Sequence, residues 1–545
     1  MKTNPNKLWL IVLALGWFFD FLFWEQSPGI NFAIFWTACL IAAFYLLMSD
    51  GLRPHRSSLI LIPLFIFFVA VTFWRAESMT SFLAYTFTLV TLTILTVTYL
   101  GGRWLQYTFA DGVAKLANLA GSVVARPILF SNDVRKAQAE SGVKPSKYNF
   151  MPIIRGLVIA LPIVAVFAAL LASADVVFGQ RLDDFIKLFK LEDLPEYIFR
   201  LIYILVIGYA LAGIVLHAAT ESKDEKLIGE SKPVIPPFLG FIESSIILGS
   251  VVTLFAIFVV IQFQYFFGGT TNINVEGYTY AEYARKGFGE LVTVAFFALL
   301  MLLTLSAVTK RENESQRKIY SGFGIALVLL LLVMLFSAFQ RLNLYEAAYG
   351  FSRVRTYTHV FLIWLGLLLV AIIALEILRK ERLFAIAMLI ASFGFAISLP
   401  ILNVDAFIVN QNIQRELSGA GINIDQNTQQ ELSRGDRVDL DSQYFIQLSD
   451  DAIPPLVDVL HSSTLPDTVH EKVAAALACI RYARTLNARD HEWQSFHFSR
   501  FNADNMLASV KDELDQYEIG GSDYWLARII TPSGAEFKCY RTYDG

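Results

Sequence analysis

The sequence predicts an all-α polytopic membrane helix bundle of about eleven transmembrane helices, followed by a C-terminal soluble α+β domain. Three observations predict it. Of 545 residues, 55% are hydrophobic and only 17% charged, against about 25% charged in soluble domains. Apolar runs long enough to span a bilayer recur up to residue 402. Composition then breaks. Residues 403–545 carry 22 acidic and 12 basic side chains, net −10, whereas residues 1–402 carry 26 and 32, net +6. The expected domains are therefore 1–402, transmembrane, and 403–545, soluble.

The eleven runs are 8–24, 30–48, 58–74, 80–100, 153–178, 197–219, 239–267, 288–309, 319–340, 356–378 and 383–402. The run 58–74 is short, and 239–267 is long enough to tilt or to project from the bilayer. The first run is not a cleavable signal, because it carries Asp20 and leads directly into a second span. Loop Lys and Arg set the orientation. With the N-terminus in the cytoplasm, the inner connectors hold 21 of them and the outer connectors 9. An odd number of spans then places the C-terminus outside the cytoplasm. The whole-chain charge of −4 offers no basic surface for nucleic acid, and the expected partner is the lipid bilayer.

Between the fourth and fifth runs, Trp104, Leu105, Phe109, Val113, Leu116, Leu119, Ala120 and Val123 recur at helical spacing. Residues 104–128 are read as an amphipathic helix on the inner surface, or as a solvated helix packed on neighbouring loops. The tail opens with a loose polar stretch at 410–440. Helices follow, with Ser449 as an N-cap, Pro466 in a first turn and a third helix over Phe501–Leu514. A terminal β-hairpin turns at Pro532-Ser533-Gly534.

Few residues suggest chemistry. No GxSxG elbow, Walker loop or HExxH motif occurs, so ATP-driven transport by this chain alone is not expected, nor any cofactor or metal. Cys39 lies in a span. Cys479 and Cys539 both lie in the tail, where an oxidising compartment would join them; two free buried thiols are the other reading. His491 and His497 flank Trp493 and Phe496, a pattern read as a packed helix surface rather than a ligand pair.

Ionisable groups near membrane depth carry more information, since a charge there is costly and is usually paired or functional. Asp20, Arg155, Asp175, Glu243, Glu290, His359 and Glu376 are such groups. Singly, each reads as an interfacial cap or a snorkelling side chain. Together, Asp20, Asp175, Glu290 and His359 share the outer side with two polar connectors. The first connector, 268–289, contains Glu282 and Arg285. The second, 340–357, contains Arg341, Tyr345, Glu346, Tyr349, Arg353, Arg355 and Tyr357. If the second is helical, Arg341, Tyr345, Tyr349, Arg353 and Tyr357 form one stripe that Gly350 is able to break, and Glu346 pairs with Arg353 two turns on. Arginine beside tyrosine suits an anion, and equally an aromatic belt at a span end.

Five strings resemble an uncharacterised family of bacterial integral membrane proteins, domain of unknown function 4173, related to family 4153. They are RGLVIALPIVAVFAALLASADVVF (155–178), GYTYAEYARKGFGELV (277–292), LNLYEAAYGFSRVRTYTHVFLIWLG (342–366), LNVDAFIVNQNI (402–413) and LDSQYFIQLSDDAIPPLV (440–457). The resemblance implies a multi-pass protein of the bacterial cytoplasmic membrane and brings no activity, substrate or cofactor. Three functions then stand as expectations. The first is a transporter or permease-like protein for a small ion or solute. The second is an envelope sensor or scaffold whose outward tail binds a protein partner. The third is a membrane-embedded enzyme on an envelope substrate, though an enzyme is the less expected outcome.

Overall fold

In the computed structural model the described residues are 5–140, 194–223, 227–228, 236–267, 288–417, 440–462, 466–486, 492–520 and 527–539, with parts of 164–181. Among them are eleven helices long and apolar enough to cross a membrane. Ten coincide with expected runs. They are α1 (Pro5–Phe23), α2 (Ile30–Ser49), the pair α3 (Arg56–Leu59) and α4 (Leu61–Trp74), α5 (Ser78–Val97), α7 (Leu194–Thr220), α8 (Phe241–Phe267), α9 (Phe288–Val308), α10 (Glu314–Tyr349), α11 (Arg353–Ile377) and α12 (Phe384–Leu402). The eleventh is α6 (Phe109–Glu140). The expected run 153–178 lies for the most part outside the described residues.

The connectors sort onto two ends. At the end that carries the chain start, the His55 N–H donates to Tyr99 O (2.7 Å), Gly101 N–H to Ser222 O (2.9 Å) and Lys310 N–H to Leu239 O (2.9 Å). At the other end, the Ile30 N–H donates to Phe496 O (2.9 Å) and Ala76 N–H to Asp451 Oδ2 (2.7 Å), both in the tail. Chain start and tail therefore lie at opposite ends of the bundle. α5 finishes at the start end and α7 begins at the tail end, so the chain changes ends between Val97 and Leu194.

The α1–α7 pair shows why the helices approach closely. A Cβ on Gly16 would stand 2.5 Å from Ile204 O, and one on Gly208 would stand 3.0 Å from Val12 O. Bare glycine on both helices lets the backbones touch, which replaces the hydrophobic drive that lipid cannot supply.

α6 begins at Phe109, later than the expected Trp104, and runs beyond 128; Trp104–Gln106 form a separate 3₁₀ turn. Asp111 accepts from the Ile228 N–H (2.6 Å) and lies 3.7 Å from Arg382, while Arg126 pairs with Glu221. All these partners belong to the start end. Fifteen residues of helix cover about 22 Å, so α6 lies obliquely across that end over this stretch.

Leu402 ends α12, Asn403 turns with φ +53°, and α13 (Val404–Leu417) starts the tail. Residues 410–417 are thus helical rather than loose, and 418–439 lie outside the described residues. α14 (Ser442–Ile446), α15 (Ile453–Leu460), α16 (Asp467–Leu486), α17 (Phe498–Ser509) and α18 (Lys511–Leu514) follow. The expected third helix is therefore two, divided at Val510. Ser449 does cap, accepting from the Asp451 N–H. The end holds three antiparallel strands rather than two, in the order β1 (Glu518–Gly520), β2 (Arg528–Ile530), β3 (Glu536–Lys538). One apolar core gathers α13, α15, α16, α17 and β2, with Val473 to Cys479 of α16 buried at its centre. Cys479 and Cys539 are joined by a disulfide, with Cα atoms 5.3 Å apart.

A candidate site where the tail meets the bundle

α10 has 36 residues, about 54 Å of helix. The bilayer core needs about 30 Å, so one end projects. That end carries Asn343, Glu346 and Tyr349, and it stops at Gly350, whose φ of +76° suits glycine. Three residues later α11 begins, and its first two turns send three side chains to three different elements.

Arg353 faces the tail. Its Nε donates to Asp405 Oδ1 (2.8 Å) and its Nη2 to Asp405 Oδ2 (2.6 Å), a bidentate fork. Asp405 is fully buried and also accepts from the Ser449 N–H (2.7 Å). The Arg353 N–H donates to the Tyr444 hydroxyl (2.9 Å). Beside this fork, Asn412 holds Phe351 through both amide atoms.

Tyr357 turns to the α4–α5 connector and donates to Glu77. Glu77 caps α5, accepting from the Met79 N–H (2.9 Å), the Thr80 N–H (2.8 Å) and Thr80 Oγ1 (2.7 Å). Burial pushes its carboxyl up, and these hydrogen bonds outweigh burial and hold it below the usual carboxylate range. Asp451 lies next door. It accepts from the Ala76 and Glu77 N–H groups (2.7 and 3.1 Å) and faces Arg75 at 3.7 Å. Burial pushes its carboxyl up, more than these donors pull it down. Arg75 Nε donates to Pro400 O (3.0 Å), tying the connector to the end of α12.

His359 turns to α10. Its Nδ1 is 3.1 Å from Glu346 Oε2 and its Nε2 is 2.9 Å from Asn343 Oδ1. The Phe339 ring packs on the imidazole at 4.8 Å. Glu346 is 2% exposed, and its Oε1 is buried without a hydrogen-bond partner among the described residues. Glu346 and Asn343 thus hold the two ring nitrogens of His359 and fix the plane of the imidazole. One helical turn earlier, Arg341 Nη2 donates to Gln262 Oε1 of α8 (2.5 Å).

The expected stripe is broken, because Gly350 separates Tyr349 from Arg353. The expected Glu346–Arg353 pair does not form: the interruption rotates α11, so Glu346 takes His359 and Arg353 takes Asp405. Arg355 turns back onto Tyr349 O (3.2 Å) and Gly350 O. Asp20 is elsewhere, buried and held by Arg200 (2.9 and 2.6 Å) and Tyr203. Asp175 is exposed and accepts from the Phe178 N–H (2.8 Å). Glu243 caps α8 through the Gly240 N–H, and Glu376 accepts from Ser321. Arg155, Glu282 and Arg285 lie outside the described residues, as do the side chains of Glu290 and Tyr345.

Sequence reasoning missed Arg75, Glu77, Asp405, Tyr444 and Asp451. Their long-range partners are between 44 and 376 residues away, so no local spacing announces those pairings. Glu77 directly before a span was the one local signal, that of a helix cap.

A model of the family described as Domain of unknown function (DUF4153) matches residues 62–459. The matched stretch includes Glu77, Glu346, Arg353, Tyr357, His359, Asp405 and Asp451. No curated protein and no solved structure shows a significant match. The match covers most of both the bundle and its junction with the tail, and the chain belongs to the DUF4153 family of unknown function.

Proposed function

We propose that this membrane protein is a permease-like carrier of a small ion or solute, with the Glu346–His359 pair as its proton-binding element. One observation carries the reading: the buried Glu346 and His359 meet at 3.1 Å between two spanning helices, and among the described residues Glu346 Oε1 has no hydrogen-bond partner. Buried ionisable groups at the mouth of a helix bundle are costly to leave without a partner and are candidates for an ion or proton path. Asn343 orients the imidazole, and Gln262 with Arg341 continues the polar groups toward α8. In the same reading the N-terminus is cytoplasmic and the tail lies outside a bacterial cytoplasmic membrane. The loop-charge bias of 21 to 9 and the tail disulfide both support that orientation.

The test uses proteoliposomes loaded with a pH-sensitive dye under an imposed membrane potential. The wild type is expected to move protons, and Glu346→Gln and His359→Gln to lower the rate at least tenfold. A wild type no faster than empty liposomes overturns the proposal.

The tail junction favours a second reading, an envelope sensor or scaffold. Its buried ion pairs clamp the tail onto the bundle, so a load on the tail reaches α11 directly. If the wild type is silent in proteoliposomes while Asp405→Asn alters the envelope of living cells, the second reading is the better one.

A further inference from the structure

The segment HEWQSFHFSRF inverts the ordinary surface pattern. Polar Gln494, Ser495 and Ser499 are buried, and so is Ala503, while Trp493 (56%), Phe496, Phe498 and Phe501 (53%) are exposed. The packed helix surface expected around Trp493 and Phe496 is therefore absent at these rings. A soluble domain places polar groups outward and large aromatics inward. Four exposed aromatics within nine residues mark a contact surface.

The bundle sets the height of this surface. Phe496 O accepts from the Ile30 N–H (2.9 Å). Ser495 Oγ donates to Gln26 Oε1 (3.0 Å) and Ser27 O (3.1 Å). The segment is thus fastened to the α1–α2 connector, where those two spans leave the bilayer. Its aromatic side continues the flank of α1. Trp17 and Phe21 stack at 6.0 Å, both are exposed on a spanning helix, and Phe21 meets Trp493 at 6.3 Å. Phe496 and Phe501 follow at 5.9 Å. An exposed aromatic on a spanning helix faces lipid, and through Phe21 and Trp493 the aromatic flank of α1 passes to the tail segment that carries Phe496 and Phe501.

We infer that Trp493, Phe496, Phe498 and Phe501 seat in the interfacial layer of the leaflet on the tail side, so that the tail rests on the bilayer as well as on the bundle. Amphipathic aromatic rings prefer that layer. The half-buried Arg500 beside them keeps its charge at headgroup level. The inference is independent of any transport activity.

The test is a nitroxide label at Phe501→Cys in the full-length protein, reconstituted in phosphatidylcholine–phosphatidylglycerol liposomes. Cys39 is buried and Cys479 is bonded to Cys539, so the new thiol is the reactive one. Phe498→Cys is labelled in parallel, in case one position disturbs folding. Asn505→Cys, exposed one turn further along α17, is the aqueous reference. Labels at 501 and 498 are expected to collide preferentially with oxygen, and the label at 505 with a water-soluble nickel chelate. Equal exposure of all three to the nickel chelate overturns the inference. Spin–spin broadening at 501 in both detergent and liposomes also overturns it, by showing a second copy on this face.

Discussion

Arg353 and Asp405 meet at the point where the spanning helices hand over to the tail. The guanidinium opens α11, the carboxylate lies in the first turn of α13, and the two form a bidentate pair at 2.6–2.8 Å. Tyr357 and His359, one and two turns along α11, hold Glu77 and Glu346. The first two turns of α11 therefore couple three things: the seat of the tail, the cap of α5 and the Glu346–His359 pair.

Removing the charge from Asp405 tests that coupling. Asp405→Asn leaves Arg353 largely buried without its counter-ion, which costs about 3 kcal/mol in comparable pairs. The expected result is a lower melting temperature and faster protease cleavage between residues 417 and 440. Glu314→Gln, which breaks an exposed pair with Arg379, is expected to leave both unchanged.

Acid should loosen the tail through His497. His497 precedes α17 at its N-cap position, and burial of the imidazole, with Arg500 nearby, holds its pKa below the ordinary 6.5 while Asp450 opposes. Its folded pKa is depressed, so the unfolded chain binds the proton more readily. Stability is then full above about pH 7 and falls as pH drops through the unfolded value. Asp451 works in the opposite direction, its raised carboxyl favouring the protonated folded form, but in the carboxylate range at lower pH. Melting curves between about pH 7.5 and 5.5 should show this loss, and His497→Asn should flatten it.

The disulfide closes a loop of 60 residues. Chain-entropy arguments give such a crosslink about 4 kcal/mol. The double variant Cys479→Ser, Cys539→Ser should lose about that much in denaturant titration of the tail transition. Reductant should reproduce the loss in the wild type and do nothing further to the variant.

α6 depends on a bare backbone at Gly213. A Cβ there would stand 2.5 Å from Val123 O. Gly213→Val must separate α6 from α7, at a cost of about 1–3 kcal/mol. It also strains the His217–Ser122 hydrogen bond of 2.8 Å. Protease sensitivity of residues 109–140 in membranes should rise, with no change in the Arg353–Asp405 junction.

The spans were legible because their signal is local: about twenty apolar residues in a row suffice. α6 was half legible. Its stripe showed in Phe109, Val113 and Leu116, yet its composition also passes for a span, and only contacts with Glu221 and Arg382 separate the two. The candidate site was legible in part. His359, Glu346 and Arg353 stood out as ionisable groups near a span end, and Glu346 was given the wrong partner. A left-handed glycine changes the rotation between two helices, and no count of residues across Gly350 reveals by how much.

The membrane class, the approximate ends of the helices, the acidic tail and the short list of costly charges are all readable from the chain alone. Each follows from transfer free energies summed over neighbouring residues. Which polar groups meet is set by packing: Asp20 with Arg200, Glu77 with Tyr357, Glu346 with His359 and Arg353 with Asp405. Those pairings depend on how helices far apart in the chain pack, on bare glycine contacts such as Gly16 against Ile204, and on where the tail comes to rest. The same packing turned Trp493 outward beside α1 and left Phe501 exposed, an arrangement that the one-dimensional pattern could not distinguish from a core.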